Sequence, residues 1–193
     1  MSIPRPHAID QMWRDLQLTH IPDQPQAVDE LLRRLETPRL NGGALFAWFQ
    51  YENHPVLDHF IEHRHLTGQP LDLPNGFLAH PEVRRVLPVL ELPDAMEPAI
   101  TGTVVDVFDL EASLARAVFS GGPYRSFEGS LRQAKSIAGQ AVDALQGDLR
   151  YHWFHHSVQD WSPWFSGGPW DGTWIGLDSF KKRLWLLCMT DMD

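Results

Sequence analysis

Twelve of the fifteen prolines fall in the first hundred of the 193 residues, and they restrict that half to short elements. A proline is tolerated in the first turn of a helix, but further along it removes a backbone donor and clashes with the preceding turn. The pattern therefore predicts helices over 7–16, 25–36, 55–66 and 80–88, with Pro25, Pro55 and Pro81 opening the last three. The second of these carries Ala27, Val28, Leu31, Leu32 and Leu35 as an apolar stripe opposite Asp29, Glu30, Arg33 and Arg34. Gly43 to Tyr51 is apolar on all sides, and periodicity leaves it either a buried helix or a buried strand. Residues 67–79 and 93–101 read as loops, the latter as a boundary between two compositional parts.

The second part, 101–193, holds ten of the fourteen glycines and a more regular pattern. Thr103 to Phe108 alternates as a strand does, and Asp109 is placed to cap a helix that ends at Gly121. Ser130-Leu-Arg-Gln133 is a capping box opening a helix with Leu131, Ala134, Ala138, Ala141, Val142 and Leu145 on one stripe, closed by Gly147. Strands are expected over 149–158, 173–178 and 183–190, the last two joined by a short turn at 179–182. Leu184 to Met189 is apolar on both faces, as in a central strand covered on both sides. These elements predict an α+β fold in which a proline-punctuated helical part, 1–100, packs with a C-terminal antiparallel sheet and two helices, 101–193, in one compact domain.

Charge and cysteine usage narrow the function. Sixteen basic and twenty-five acidic residues give a net charge of −9, which opposes phosphate-backbone binding, so nucleic acid is not expected as a partner. The longest basic run is Lys181-Lys182-Arg183. No apolar stretch approaches the ~18 residues of a membrane span, and the start of the chain lacks the pattern of a signal peptide. The single Cys188 sits in an apolar run, which suits a reducing compartment and an inert core residue, and the expected location is cytoplasmic.

Three clusters carry possible chemistry. His59-Phe-Ile-Glu62-His63 has the H-x-x-E-H order, and helical spacing puts both imidazoles on one face, where they can share a zinc ion while Glu62 deprotonates a metal-bound water. The stretch His59 to Gly68 resembles the active-site helix of the pitrilysin metallopeptidase family. That resemblance implies His59 and His63 as ligands, Glu62 as base and a downstream glutamate as third ligand, for which Glu111 and Glu128 are the candidates. On a helical wheel, however, Leu57, Phe60 and Ile61 form the buried face and the motif residues face solvent. In Tyr151-His-Trp-Phe-His-His156 the strand alternation puts His152 and His156 on one face about 13 Å apart, beyond a shared metal ion.

Six of eight tryptophans lie between 153 and 185, four of them (Trp161, Trp164, Trp170, Trp174) in or beside a Gly/Pro-rich segment. Indoles in such a segment either plug a core or serve as anchors for a partner or a sugar. Phe-Ser-Gly-Gly-Pro occurs twice, at 119–123 and 165–169, and its glycine pairs read as turn chemistry. Together these features favour a non-enzymatic cytoplasmic protein that binds another protein as adaptor or neutraliser, a basic one by its charge, using Trp161, Trp164, Trp170 and Trp174. A zinc-dependent hydrolase on His59, Glu62 and His63 and a carbohydrate-binding module using the tryptophans are the alternatives.

Overall fold

A computed structural model describes residues 3–68, 70–145 and 152–192. The helices are α1 (Pro6–Asp15), α2 (Gln26–Glu36), α3 (Pro55–Glu62), α4 (Leu73–Ala79), α5 (Pro81–Val86), α6 (Val107–Ser120) and α7 (Leu131–Leu145). The strands are β1 (Leu18–Ile21), β2 (Gly43–Tyr51), β3 (Thr103–Val105), β4 (His152–Ser157), β5 (Gly172–Asp178) and β6 (Arg183–Thr190). They form one six-stranded sheet in the order β1-β2-β6-β5-β4-β3, with every neighbouring pair antiparallel. The fold is α+β, with helices on both faces of the sheet.

Alternation along the central strands explains why two helical layers are required. In β6, Leu184, Leu186 and Cys188 enter one core while Trp185, Leu187 and Met189 enter the other. β2 divides the same way, Ala47, Phe49 and Tyr51 against Trp48, which settles the open reading of Gly43 to Tyr51 as a strand. The first core is closed by α1, α3, α4 and α5 through Met12, Leu57, Phe77 and Val83. The second is closed by α2, α6 and α7 through Leu31, Leu114 and Ala138. Because β2 pairs with β6, the two compositional parts share this sheet.

Several boundaries move for local reasons. Asp106, not Asp109, caps α6: its Oδ1 accepts the Asp109 N–H at 2.9 Å, which shortens the preceding strand to Thr103–Val105. The helix expected to run to 66 ends at Glu62, and Arg64, at φ +54, turns the chain so that Leu66 reaches the core. The loop expected over 67–79 contains α4, because Pro74 sits in a first helical turn and Gly76 packs directly under the Trp13 indole, where a Cβ would collide. β1 is too short, at four residues, for its alternation to register. The capping box of α7 forms as expected, Ser130 N–H donating to Gln133 Oε1 at 2.7 Å and Gln133 N–H to Ser130 Oγ at 3.3 Å. Gly147 and residues 149–151 of the expected fourth strand lie outside the described residues.

His80 ties the first core together. Its Nδ1 accepts the Glu82 N–H at 3.2 Å as an N-cap, so Nε2 carries the proton and donates to the Leu16 carbonyl at 3.0 Å. Burial holds this imidazole below its ordinary value, and burial does the same to His155 and His156. The unfolded chain therefore takes up protons near pH 6.5 while the folded chain still resists them, so stability is complete above that pH and falls as the pH drops below it. Urea midpoints should decline from about pH 7.5 to about pH 5, and His80→Asn, which keeps a cap acceptor, should flatten the slope. A midpoint constant over that range would contradict the assignment.

Candidate functional site

His59 and His63 do lie together, their rings 4.2 Å apart between centroids. The contact belongs to a helix end: His63 is the C-cap, and its Nδ1 sits 2.7 Å from the His59 carbonyl oxygen, so that nitrogen is engaged with backbone. Glu111 lies on α6, whose apolar side enters the core on the opposite sheet face from that of α3, and Glu128 lies in the loop before α7. Among the described residues no group of three or more His, Cys, Asp or Glu comes together to hold a metal ion. The donor set of the described residues does not fit a zinc centre. After incubation with zinc and desalting, the protein should carry well under one zinc per chain. Stoichiometric zinc that vanishes in a His59→Ala, His63→Ala variant would overturn this.

The tryptophans separate into different environments. Trp161 is buried, with its indole N–H donating to Thr173 Oγ1 at 2.8 Å, and Trp164 packs half-buried on the same core. Trp174 is 1% exposed in the other core, its N–H on Ser113 Oγ at 2.9 Å and its ring stacked on His156 at 5.0 Å. Trp170 is half-buried and stands with Trp174 around a cavity of about 210 Å³. Two of the four indoles thus serve the interior, and the remaining two do not share a platform.

The segment holding them is organised by Asp171, 2% exposed, which accepts the Gly167 and Gly168 N–H at 2.7 and 3.2 Å and the Thr190 hydroxyl at 2.6 Å. Both Phe-Ser-Gly-Gly-Pro copies place their first glycine in the left-handed region, Gly121 at φ +68 and Gly167 at φ +75, as turn chemistry requires. Both turns also close on Asp191. Ser166 donates to its carbonyl at 2.6 Å, and a Cβ on Gly122 would stand 2.8 Å from its Oδ2.

Glu62 belongs to a different feature, a cleft of about 740 Å³ at the β3 end of the sheet. Ile61, Glu62 and Arg64 form one wall, and Val104, Asp106 and Asp109 form the other, with Trp153 and Leu177 between them. Val104 lies on the edge strand and is 53% exposed. Glu62, Asp106 and Asp109 are all exposed and make no ion pair among the described residues. Three carboxylates and one guanidinium therefore surround an apolar, indole-bearing floor.

The sequence pattern marks Glu62 for metal chemistry and carries no such signal for Asp106, Asp109 or Trp153. Glu62 ends α3 and Asp106 caps α6 on distant parts of the chain, and no local pattern signals that they line one cleft. The remaining histidines of β4 are structural: His152 pairs with Asp178 at 3.2 Å, and His155 stacks with Trp153 at 6.0 Å. Cys188 is buried and its thiol is pushed up by burial, as for an inert core residue. Compared with known protein families, with characterised proteins and with solved structures, the chain matches none.

Proposed function

We propose that this chain is a protein-binding protein, an adaptor or a neutraliser, whose partner lays a basic segment into the cleft between the end of α3 and the start of α6. The observation that carries the reading is the set of carboxylates Glu62, Asp106 and Asp109, which make no ion pair among the described residues, over the floor of Trp153 and Leu177. An arginine or lysine satisfies both features at once, its apolar stem covering the indole while its head reaches the carboxylates. Complementary charge also speeds encounter and rejects acidic competitors. The exposed Val104 on the cleft wall adds the kind of apolar contact that protein interfaces use. The contact residues are thus Glu62, Asp106, Asp109 and Trp153, and of the four tryptophans first considered only Trp164 and Trp170 keep exposed surface to offer a partner. The net charge of −9 and the single buried cysteine support a partner other than nucleic acid and a cytoplasmic setting.

The test uses a fluorescent arginine-rich peptide containing one leucine as probe. Glu62→Lys with Asp109→Lys should weaken its binding about tenfold or more, whereas Glu128→Lys with Asp143→Lys, an equal charge change at exposed positions elsewhere, should weaken it less than about twofold. Asp106 is kept because it caps α6. Equal losses from the two pairs would reduce the effect to net charge and sink the cleft as a specific seat.

A further inference from the structure

The 210 Å³ cavity between α6 and Trp170 contains an arginine whose charge the fold does not neutralise by contact. Arg39 is 4% exposed, and it donates through Nη1 to the Leu35 carbonyl at 2.6 Å and through Nη2 to the Ala117 carbonyl at 3.3 Å. Its Nε–H is buried and meets no acceptor, and among the described residues Arg39 makes no ion pair. A buried cation with no carboxylate in contact is a costly arrangement in a protein interior, and a contacting counter-ion is the usual remedy.

The surroundings leave room for one. Arg116, Ser113, Ser120 and His156 line the same cavity, adding a second guanidinium and two hydroxyls, with Trp170 alongside. Of the nearby carboxylates, Asp171 lines the cavity but has both oxygens engaged by Gly167, Gly168 and Thr190. Asp191 offsets part of the Arg39 charge through space without an ion-pair contact: its Oδ1 is taken by the Asn41 and Met192 N–H at 3.0 Å each, and its Oδ2 is buried with no hydrogen-bond partner among the described residues. Burial lowers the guanidinium to about 10, which still leaves it charged at neutral pH.

We propose that this cavity binds a small oxyanion, a phosphate or a short carboxylate, between Arg39 and Arg116 with Trp170 alongside it. Two planar donor forks are the groups suited to such an anion, and the volume equals that of about seven water molecules in the liquid, enough for a phosphate or a short carboxylic acid but not for a nucleotide. The two Phe-Ser-Gly-Gly-Pro turns frame the site, Ser120 coming from the first copy and Pro169 from the second. This site is separate from the acidic cleft and does not depend on the protein-binding reading.

Titration of the full chain with sodium phosphate and, separately, with sodium acetate, each against sodium chloride at matched ionic strength, tests the proposal by calorimetry and by tryptophan fluorescence. Saturable binding of either anion, weakened about tenfold in Arg116→Gln and lost in Arg39→Lys, is the expected result. Phosphate alone would identify a tetrahedral ligand, and acetate alone a carboxylate. Arg116 is exposed and its variant should keep the native fold, so failure of Arg39→Lys to fold would leave the Arg116→Gln comparison decisive. No saturable binding of either anion up to about 100 mM, or unchanged affinity in Arg116→Gln, overturns the proposal.

Discussion

Replacing Asp171 with alanine is expected to destabilise the protein by about 4 kcal/mol, more than almost any other polar substitution in the chain. The carboxylate takes four donors, the backbone N–H groups of the Gly167-Gly168 turn and the Ser166 and Thr190 hydroxyls, and it does so at 2% exposure. Alanine removes the one carboxylate on which these donors converge. The loss should spread beyond the site, because the Thr190 hydroxyl that Asp171 accepts is also the acceptor for Ser166 N–H, and Ser166 in turn holds the Asp191 carbonyl. Asp171→Asn, which keeps one acceptor oxygen, should cost about half as much. Urea unfolding at unchanged m-value measures both, and a loss below about 1 kcal/mol for alanine would show that the segment holds itself by other means.

Trp185→Ala should cost a similar amount, about 4 kcal/mol, through a different mechanism. Trp185 is 1% exposed at the centre of the sheet, paired across to Gly176, with Phe154 and Phe46 at 6.1 and 6.3 Å from its ring. The indole lies over Gly176, where a Cβ would overlap it, so the glycine creates the slot that the tryptophan fills. Truncation leaves a void that rigid strands on both sides cannot close. Its indole N–H is buried and meets no acceptor among the described residues, so Trp185→Phe, which removes that donor along with some area, should cost less than half as much. Equal losses for alanine and phenylalanine would contradict that division.

The parts of the fold that sequence reveals are those where one local rule acts alone. The α7 capping box, the turn after β5 and the two-faced apolar run of β6 each form where their own residues place them. Elements set by distant partners are hidden. Gly76 reads as a breaker until the Trp13 indole is laid on it, and Gly43 to Tyr51 becomes a strand only because β6 is there to pair with it. The candidate sites follow the same division. The His59 and His63 pair is visible as a pattern, but its geometry is that of a helix terminus, and the missing third ligand is a fact of topology. Clustered tryptophans stand out in the sequence, yet burial by the opposite layers decides that Trp161 and Trp174 belong to the interior. Arg39 gives no sequence signal, since an arginine between a helix and a strand is ordinarily solvated.

Chemical-shift mapping of the isotope-labelled full chain against the arginine-rich peptide tests the central claim most directly, because it locates binding rather than only detecting it. The account predicts saturable shifts at Glu62, Arg64, Val104 and Asp109 and at the Trp153 indole N–H, weakening as salt is raised. Saturable binding whose shifts fall on other acidic surfaces, such as Asp10 and Asp15 of α1, while the Trp153 indole stays unmoved, would contradict it.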